Sequence, residues 1–150
     1  GLDPRYLDLE IREDAIMSST YSDLDGLERL RATGATLSID DFGTGYSNLS
    51  SLKRFPLDKL KIDQSFVREA GTNVDAASVV RAVIALARSL GLRVIAEGVE
   101  TAEELSMLCG EGCVEAQGYL FSHPVRADEM AELLAQKRLD QPAGKTPADR

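Results

Sequence analysis

Leu37-Ser-Ile-Asp-Asp-Phe-Gly-Thr-Gly-Tyr-Ser-Asn-Leu49 turns within a few residues from a buried strand into an acidic loop with two glycines. Leu37 and Ile39 alternate with polar neighbours as strand residues do, and Asp40-Asp41 falls where that strand leaves the core. Gly43 and Gly45 free the backbone to turn sharply or approach a ligand. Ser47 is placed to cap a short helix that reaches Arg54 and ends before Pro56. Two adjacent carboxylates at the carboxyl end of a strand repel each other unless a cation or a donor-rich pocket offsets the repulsion. The plain alternative is that one Asp caps a turn and the other faces water.

Working outward, the spacing predicts four further strands. Tyr6 to Ile11 alternates, with Leu7, Leu9 and Ile11 on one face and Asp8 and Glu10 on the other; Leu60-Lys-Ile-Asp63, Arg93 to Glu97 and Val114 to Gln117 follow. Helices are predicted over Asp23 to Thr33, closed by Gly34, and over Asp75 to Leu90, closed by Gly91. The second carries Val79, Val83, Leu86 and Leu90 on one stripe, with Val80, Ile84 and Ala87 beside it. Thr101 and Glu104 form a capping box for a helix through Leu108, and Asp128 to Lys137 reads as an amphipathic helix with Met130, Leu133 and Leu134 inward. Asp63 or Ser65 can cap the turn after its strand. The last dozen residues, 139–150, have no periodicity and read as a disordered tail after a single domain over 1–138.

The chain has 150 residues, 43% hydrophobic, enough for one domain with a real core, and no apolar run long enough for a membrane helix. No leader pattern opens it, so a cytoplasmic location is expected. A net charge of −8 argues against broad attraction to nucleic-acid polymers or anionic membranes, and a phosphate-bearing substrate would need a cation. Cys109 and Cys113 lack the spacing of a zinc knuckle or thioredoxin pair and read as free thiols; the lone His123 is assigned no chemistry.

Five strands alternating with helices indicate a parallel α/β sheet. Glu10, Asp40, Asp41, Lys61, Asp63, Glu97 and Gln117 all fall near the ends of different strands. That distribution favours a (β/α)₈ barrel, with its site at the carboxyl face, over an open sheet with a single switch point. Carboxylates without useful His or Cys suit Mg²⁺ or Mn²⁺ rather than zinc, and Asp40 beside Asp41 allows two metals, as in phosphodiester hydrolysis. An enolase-type proton abstraction with one Mg²⁺ is equally compatible with these residues.

Leu9-Glu-Ile-Arg-Glu13, Asp40 to Leu49, Leu60-Lys-Ile-Asp63, Ala96-Glu-Gly-Val-Glu100 and Gln117-Gly-Tyr-Leu-Phe121 resemble, in order, the motifs of bacterial EAL-domain cyclic di-GMP phosphodiesterases. The resemblance implies a modified TIM barrel with one antiparallel strand, of which this chain supplies about five C-terminal strand–helix units. It also implies metal-dependent opening of cyclic di-GMP to linear pGpG. Glu10, Asp40, Asp41 and Glu97 match metal ligands of a two-metal site, with Glu97, Lys61 and Asp63 as catalytic positions and Lys61 positioning the water. Glu13, Gly43 and Gly45 match the bracing of the loop after Asp41, and Gln117 matches a substrate-binding group. Arg12 stands where a small hydroxyl residue is usual, and Asn48 where a serine is.

The family's N-terminal segment, with its naming glutamate and an Asn ligand, has no counterpart here, and a whole barrel needs about 250 residues. Residues 1–150 alone are therefore expected to be inactive, with open sheet edges. The expected partners are cyclic di-GMP, upstream regulatory or sensor domains, and a second copy in a homodimer; the parent could be membrane-tethered. A degenerate module that binds cyclic di-GMP or a protein partner without turnover is the alternative.

Overall fold

The computed structural model describes residues 2–18, 21–43, 52–71 and 73–135. Gly45, most of the predicted helix from Ser47 to Arg54, and the predicted tail lie outside the described residues. The elements are β1 (Asp8–Arg12), α1 (Glu13–Met17), α2 (Tyr21–Ala32), β2 (Thr36–Phe42), β3 (Lys59–Ile62), α3 (Gln64–Ala70), α4 (Val74–Leu90), β4 (Arg93–Ala96), α5 (Ala102–Gly110), β5 (Glu115–Ala116) and α6 (Ala127–Ala135), after a 3₁₀ turn at Pro4–Tyr6.

Local chemistry sets most of these boundaries. Pro4 opens the 3₁₀ turn and Asp3 accepts a hydrogen bond from the Arg5 amide, so Tyr6 belongs to the turn and β1 begins later than predicted. Asn73 caps α4 through the Asp75 amide, 2.9 Å away, and Gly91 ends it at φ +72°. The predicted capping box of Thr101 and Glu104 forms at the start of α5. Helix α3 was not among the sequence expectations; Asp63 starts it by accepting from the Ser65 amide at 2.9 Å.

All five strands are parallel in the order β1-β2-β3-β4-β5, so each βα unit adds the next neighbour, as around a barrel wall, with no reversal of the kind an open doubly wound sheet contains. None of the described strands is antiparallel. One face of the sheet is apolar: Leu37, Ile39, Leu60, Ile62, Val94 and Ala96 are buried in one core with Val67 of α3 and Val80, Val83, Ile84 and Ala87 of α4. The seam of α4 is rotated from the predicted stripe, leaving Val79 37% exposed while Val80 is fully buried. Ala76, Val80, Val83, Ile84 and Ala87 follow the helical period equally well, and only the sheet decides which stripe it meets. In α6, Leu134 is turned outward at 61% exposure, contrary to expectation, while Met130 and Leu133 are half-buried.

The opposite face of the sheet is ionic, and it is layered by the two-residue period. In the lower layer Asp8 pairs with Lys59 at 2.9 Å and accepts from the Ser38 hydroxyl at 2.5 Å, while Lys59 also approaches Glu115 at 3.6 Å. Two residues further along the same strands stand Glu10, Asp40, Lys61 and Gln117, at the carboxyl ends.

The two cysteines separate by burial. Cys109 is exposed, while Cys113 is in the core, its thiol donating toward the Glu115 carbonyl at 3.3 Å and pushed above the ordinary thiol range by burial. Iodoacetamide near about pH 8 is expected to alkylate Cys109 in the native protein and Cys113 only in denaturant. Equal labelling of both in the native state, read by peptide mass, would show that the core around Cys113 is open.

Candidate metal centre

Lys61 organises the carboxyl end of the sheet. Its side chain is only 4% exposed, and Nζ lies 2.6 Å from Glu10 Oε1, 2.5 Å from Glu97 Oε1 and 3.3 Å from Asp40 Oδ1, so one ammonium gathers carboxylates from β1, β2 and the end of β4. Burial alone would pull this ammonium down, but its hydrogen bonds to Glu10 and Glu97 and the charge of Asp40 reverse that and hold it above the usual lysine range. It is therefore a fixed cation and a donor, not a base. Glu97 is pushed above the usual carboxylate range by burial, with repulsion from Asp40 and Glu10 added, and Lys61 offsets this only in part. Gln117, just past β5, donates from Nε2 to Glu97 Oε1 at 2.8 Å and orients that carboxylate.

A β-bulge brings Asp41 into the group. Between the pairs Ile39–Leu60 and Phe42–Ile62 the register shifts, three steps on β2 against two on β3, and Asp41 adopts φ +55°. In a regular strand two adjacent side chains point to opposite faces; the extra residue of a bulge turns both the same way. Asp40, Asp41 and Glu97 consequently offer carboxylate oxygens within 4.8 Å of one another.

Gly43, the residue after the bulged strand, is anchored by α1. Glu13, 4% exposed at the start of α1, accepts from the Gly43 amide at 3.0 Å. Gly43 sits at φ +98°, and a Cβ there would lie 3.1 Å from the Phe66 ring of α3, so a side chain at this position would be both strained and crowded. Removing the carboxylate with Glu13→Ala is expected to leave the Gly43 amide unpaired and shift Asp41. Hydrogen exchange at the Gly43 amide should then speed up at least tenfold, on the order of one lost hydrogen bond, and unchanged exchange would refute the bracing.

The residues fit a hard divalent cation. Three carboxylates surround one buried ammonium, leaving excess negative charge, with Asp41 beside two of them, and Asp40 Oδ1 is buried within ion-pair range of Lys61 but without a hydrogen-bond partner. Oxygen-only donors of this kind suit a hard divalent ion rather than a soft one.

Of the residues expected from sequence, Glu10, Asp40, Asp41, Lys61, Glu97 and Gln117 come together here, with Glu13 and Gly43 directly behind Asp41. Asp63 accepts from the Ser65 amide and hydroxyl at the start of α3, as the capping reading expects. Sequence reasoning missed an adjoining groove of about 640 Å³, lined by Gln64, Arg68, Glu100, Gln117, Tyr119 and His123 among others. There Arg68 donates to Glu100 at 2.9 Å and the His123 ring lies against Tyr119 with centroids 4.1 Å apart. Tyr119 lies inside the Gln-Gly-Tyr stretch, a signal that was available; Arg68 sits on the unpredicted helix α3.

The model of the EAL domain family matches residues 1–124. The cyclic di-GMP phosphodiesterase NbdA of Pseudomonas aeruginosa is 46% identical over 140 residues, which are 93% of this chain and 18% of that protein. Among solved structures, the PaMucR phosphodiesterase in complex with c-di-GMP superposes with a TM-score of 0.82 at 44% identity, over 86% of this chain and 52% of that one. BlrP1 of Klebsiella pneumoniae, in a manganese and cyclic di-GMP complex, superposes with a TM-score of 0.75 at 40% identity, over 82% of this chain and 31% of that one. The chain spans about a fifth of the length of the curated relatives it matches.

Proposed function

Because the chain belongs to the EAL domain family, we propose that the full-length protein hydrolyses cyclic di-GMP to linear pGpG with Mg²⁺ or Mn²⁺ in a two-metal site. The observation that carries the reading is the gathering of Glu10, Asp40 and Glu97 around Lys61, with Asp41 beside Asp40 and Glu97, at the carboxyl ends of the strands. The names of NbdA and PaMucR, and the metal and cyclic di-GMP bound to BlrP1, support the same reading.

Glu10, Asp40 and Glu97 would hold one cation, and Asp41 would contribute to the second. When bound, the cations would polarise the phosphate and activate water. The chain's own groups do the rest. Lys61, fixed by its three carboxylate partners, presents an ammonium that orients the attacking water and stabilises charge developing on phosphorus oxygens. Glu13 and Gly43 hold Asp41 in its bulged position, Gln117 fixes Glu97 and reaches the adjoining groove for substrate, and Asp63 supports the site by anchoring α3. Upstream regulatory domains, pairing as a homodimer and a cytoplasmic catalytic domain belong to the same proposal; among the described residues no helix is long and apolar enough to cross a membrane.

The test is incubation of the full-length protein with cyclic di-GMP and Mg²⁺ or Mn²⁺, following pGpG by chromatography. Metal-dependent appearance of pGpG is the expected result. Cyclic di-GMP bound without any product would instead identify a sensing module.

A further inference from the structure

Arg12 is the one basic side chain seen on an acid of the cluster other than Lys61 among the described ion pairs, and the hydrolytic reading leaves it without a task. It lies two residues beyond Glu10 on β1, hence on the same face, and its Cα pairs in register with Asp40 at the rim of the sheet. Its Nη1 is 3.3 Å from Asp41 Oδ2, and its Nε is 3.3 Å from Asp14 Oδ1. The guanidinium therefore lies between Asp14 and the bulged aspartate.

This contact does little for stability. Arg12 and Asp14 side chains are 67% and 73% exposed, and ion pairs so open to water contribute close to nothing to folding. Its consequence falls on Asp41, which is 32% exposed and lies at the edge of the carboxylate cluster. A guanidinium on Asp41 occupies a lone pair that a cation would use, and its positive charge repels a divalent ion arriving at the same oxygen. Lys61, by contrast, pairs with Glu10, Asp40 and Glu97.

We infer that Arg12 is a positioning residue that weakens and thereby sets the affinity of the Asp41 cation site, making occupancy of the second cation the step that responds to metal supply. This rests on the metal-dependent reading above. The Asp41 half of the site would then hold a cation more weakly than the Asp40–Glu97 half, because the guanidinium stands against Asp41.

Mn²⁺ binding to the full-length protein, followed by electron paramagnetic resonance without substrate, tests this directly. Two binding steps are expected, the weaker one lost in Asp41→Asn. In Arg12→Ser the weaker step should tighten about fivefold at low salt while the stronger one stays put, and the difference should shrink in high salt because the guanidinium is exposed. Arg12→Lys, which keeps the charge without the fork, should fall between the two. Identical weak-step affinity in Arg12→Ser and wild type, with Asp40-dependent binding intact, overturns the inference alone. Unmoved Mn²⁺ affinities with a raised KM for cyclic di-GMP would also overturn it, by giving the guanidinium to the substrate phosphate. Mn²⁺ binding that Asp40→Asn leaves unchanged would sink the metal reading and this inference together.

Discussion

Lys61→Met is expected to lower turnover a hundredfold to a thousandfold, the scale for removing one donor aimed at developing charge, and to destabilise the cation-free protein by about 2 kcal/mol. The second effect follows from the first shell of contacts: without the ammonium, Glu10, Asp40 and Glu97 face one another with no counter-charge. The value sits below the usual range for a broken buried pair because Glu10 is 47% exposed and its charge is partly screened by water. Mn²⁺ should restore the melting temperature of the variant, since a divalent ion replaces the missing charge, but it should not restore the rate. The two readouts therefore separate. A variant that melts like wild type without cations and turns over normally would show that Lys61 is neither the keystone of the cluster nor a participant in the reaction.

Glu97→Gln and Asp40→Asn are each expected to cost on the order of a thousandfold or more in turnover while leaving the fold intact. Each substitution keeps the side-chain volume and removes one charge from a crowded group, so like-charge repulsion falls and the cation-free protein should melt no lower than wild type. For Glu97 the gain is the larger, because burial already disfavours its charged form. The expected pattern is thus opposite to that of Lys61→Met: lost activity with unchanged or raised stability. Wild-type turnover at saturating Mg²⁺ in either variant would show that these carboxylates are structural and that the cation, if any, is held elsewhere.

What the sequence determined by itself was everything local. Alternation over Leu37-Ser-Ile and Leu60-Lys-Ile marks strands because the backbone period of two puts every second residue on one face, and that same period places Glu10, Asp40, Lys61 and Gln117 near strand ends. Gly91, and Thr101 with Glu104, mark helix ends because unpaired backbone groups there need partners within a few residues. The ordered set of acidic motifs then identified the family.

Only the tertiary structure decided what those residues do to one another. The bulge that turns Asp40 and Asp41 to one face arises from the pairing of β2 with β3, and nothing in Ile39-Asp-Asp-Phe42 alone distinguishes it from a regular strand. Whether α4 buries Val79 or Val80 depends on the sheet it meets. That Asp63 accepts from the Ser65 amide and so caps α3 is likewise a matter of the folded chain. The contacts of Lys61 with Glu10 and Glu97, and of Arg12 with Asp41, join residues from different strands or across a turn, at distances that chain spacing does not encode. Charges interact through space, so their partners are set by the register and bulge of the assembled sheet rather than by their order along the chain.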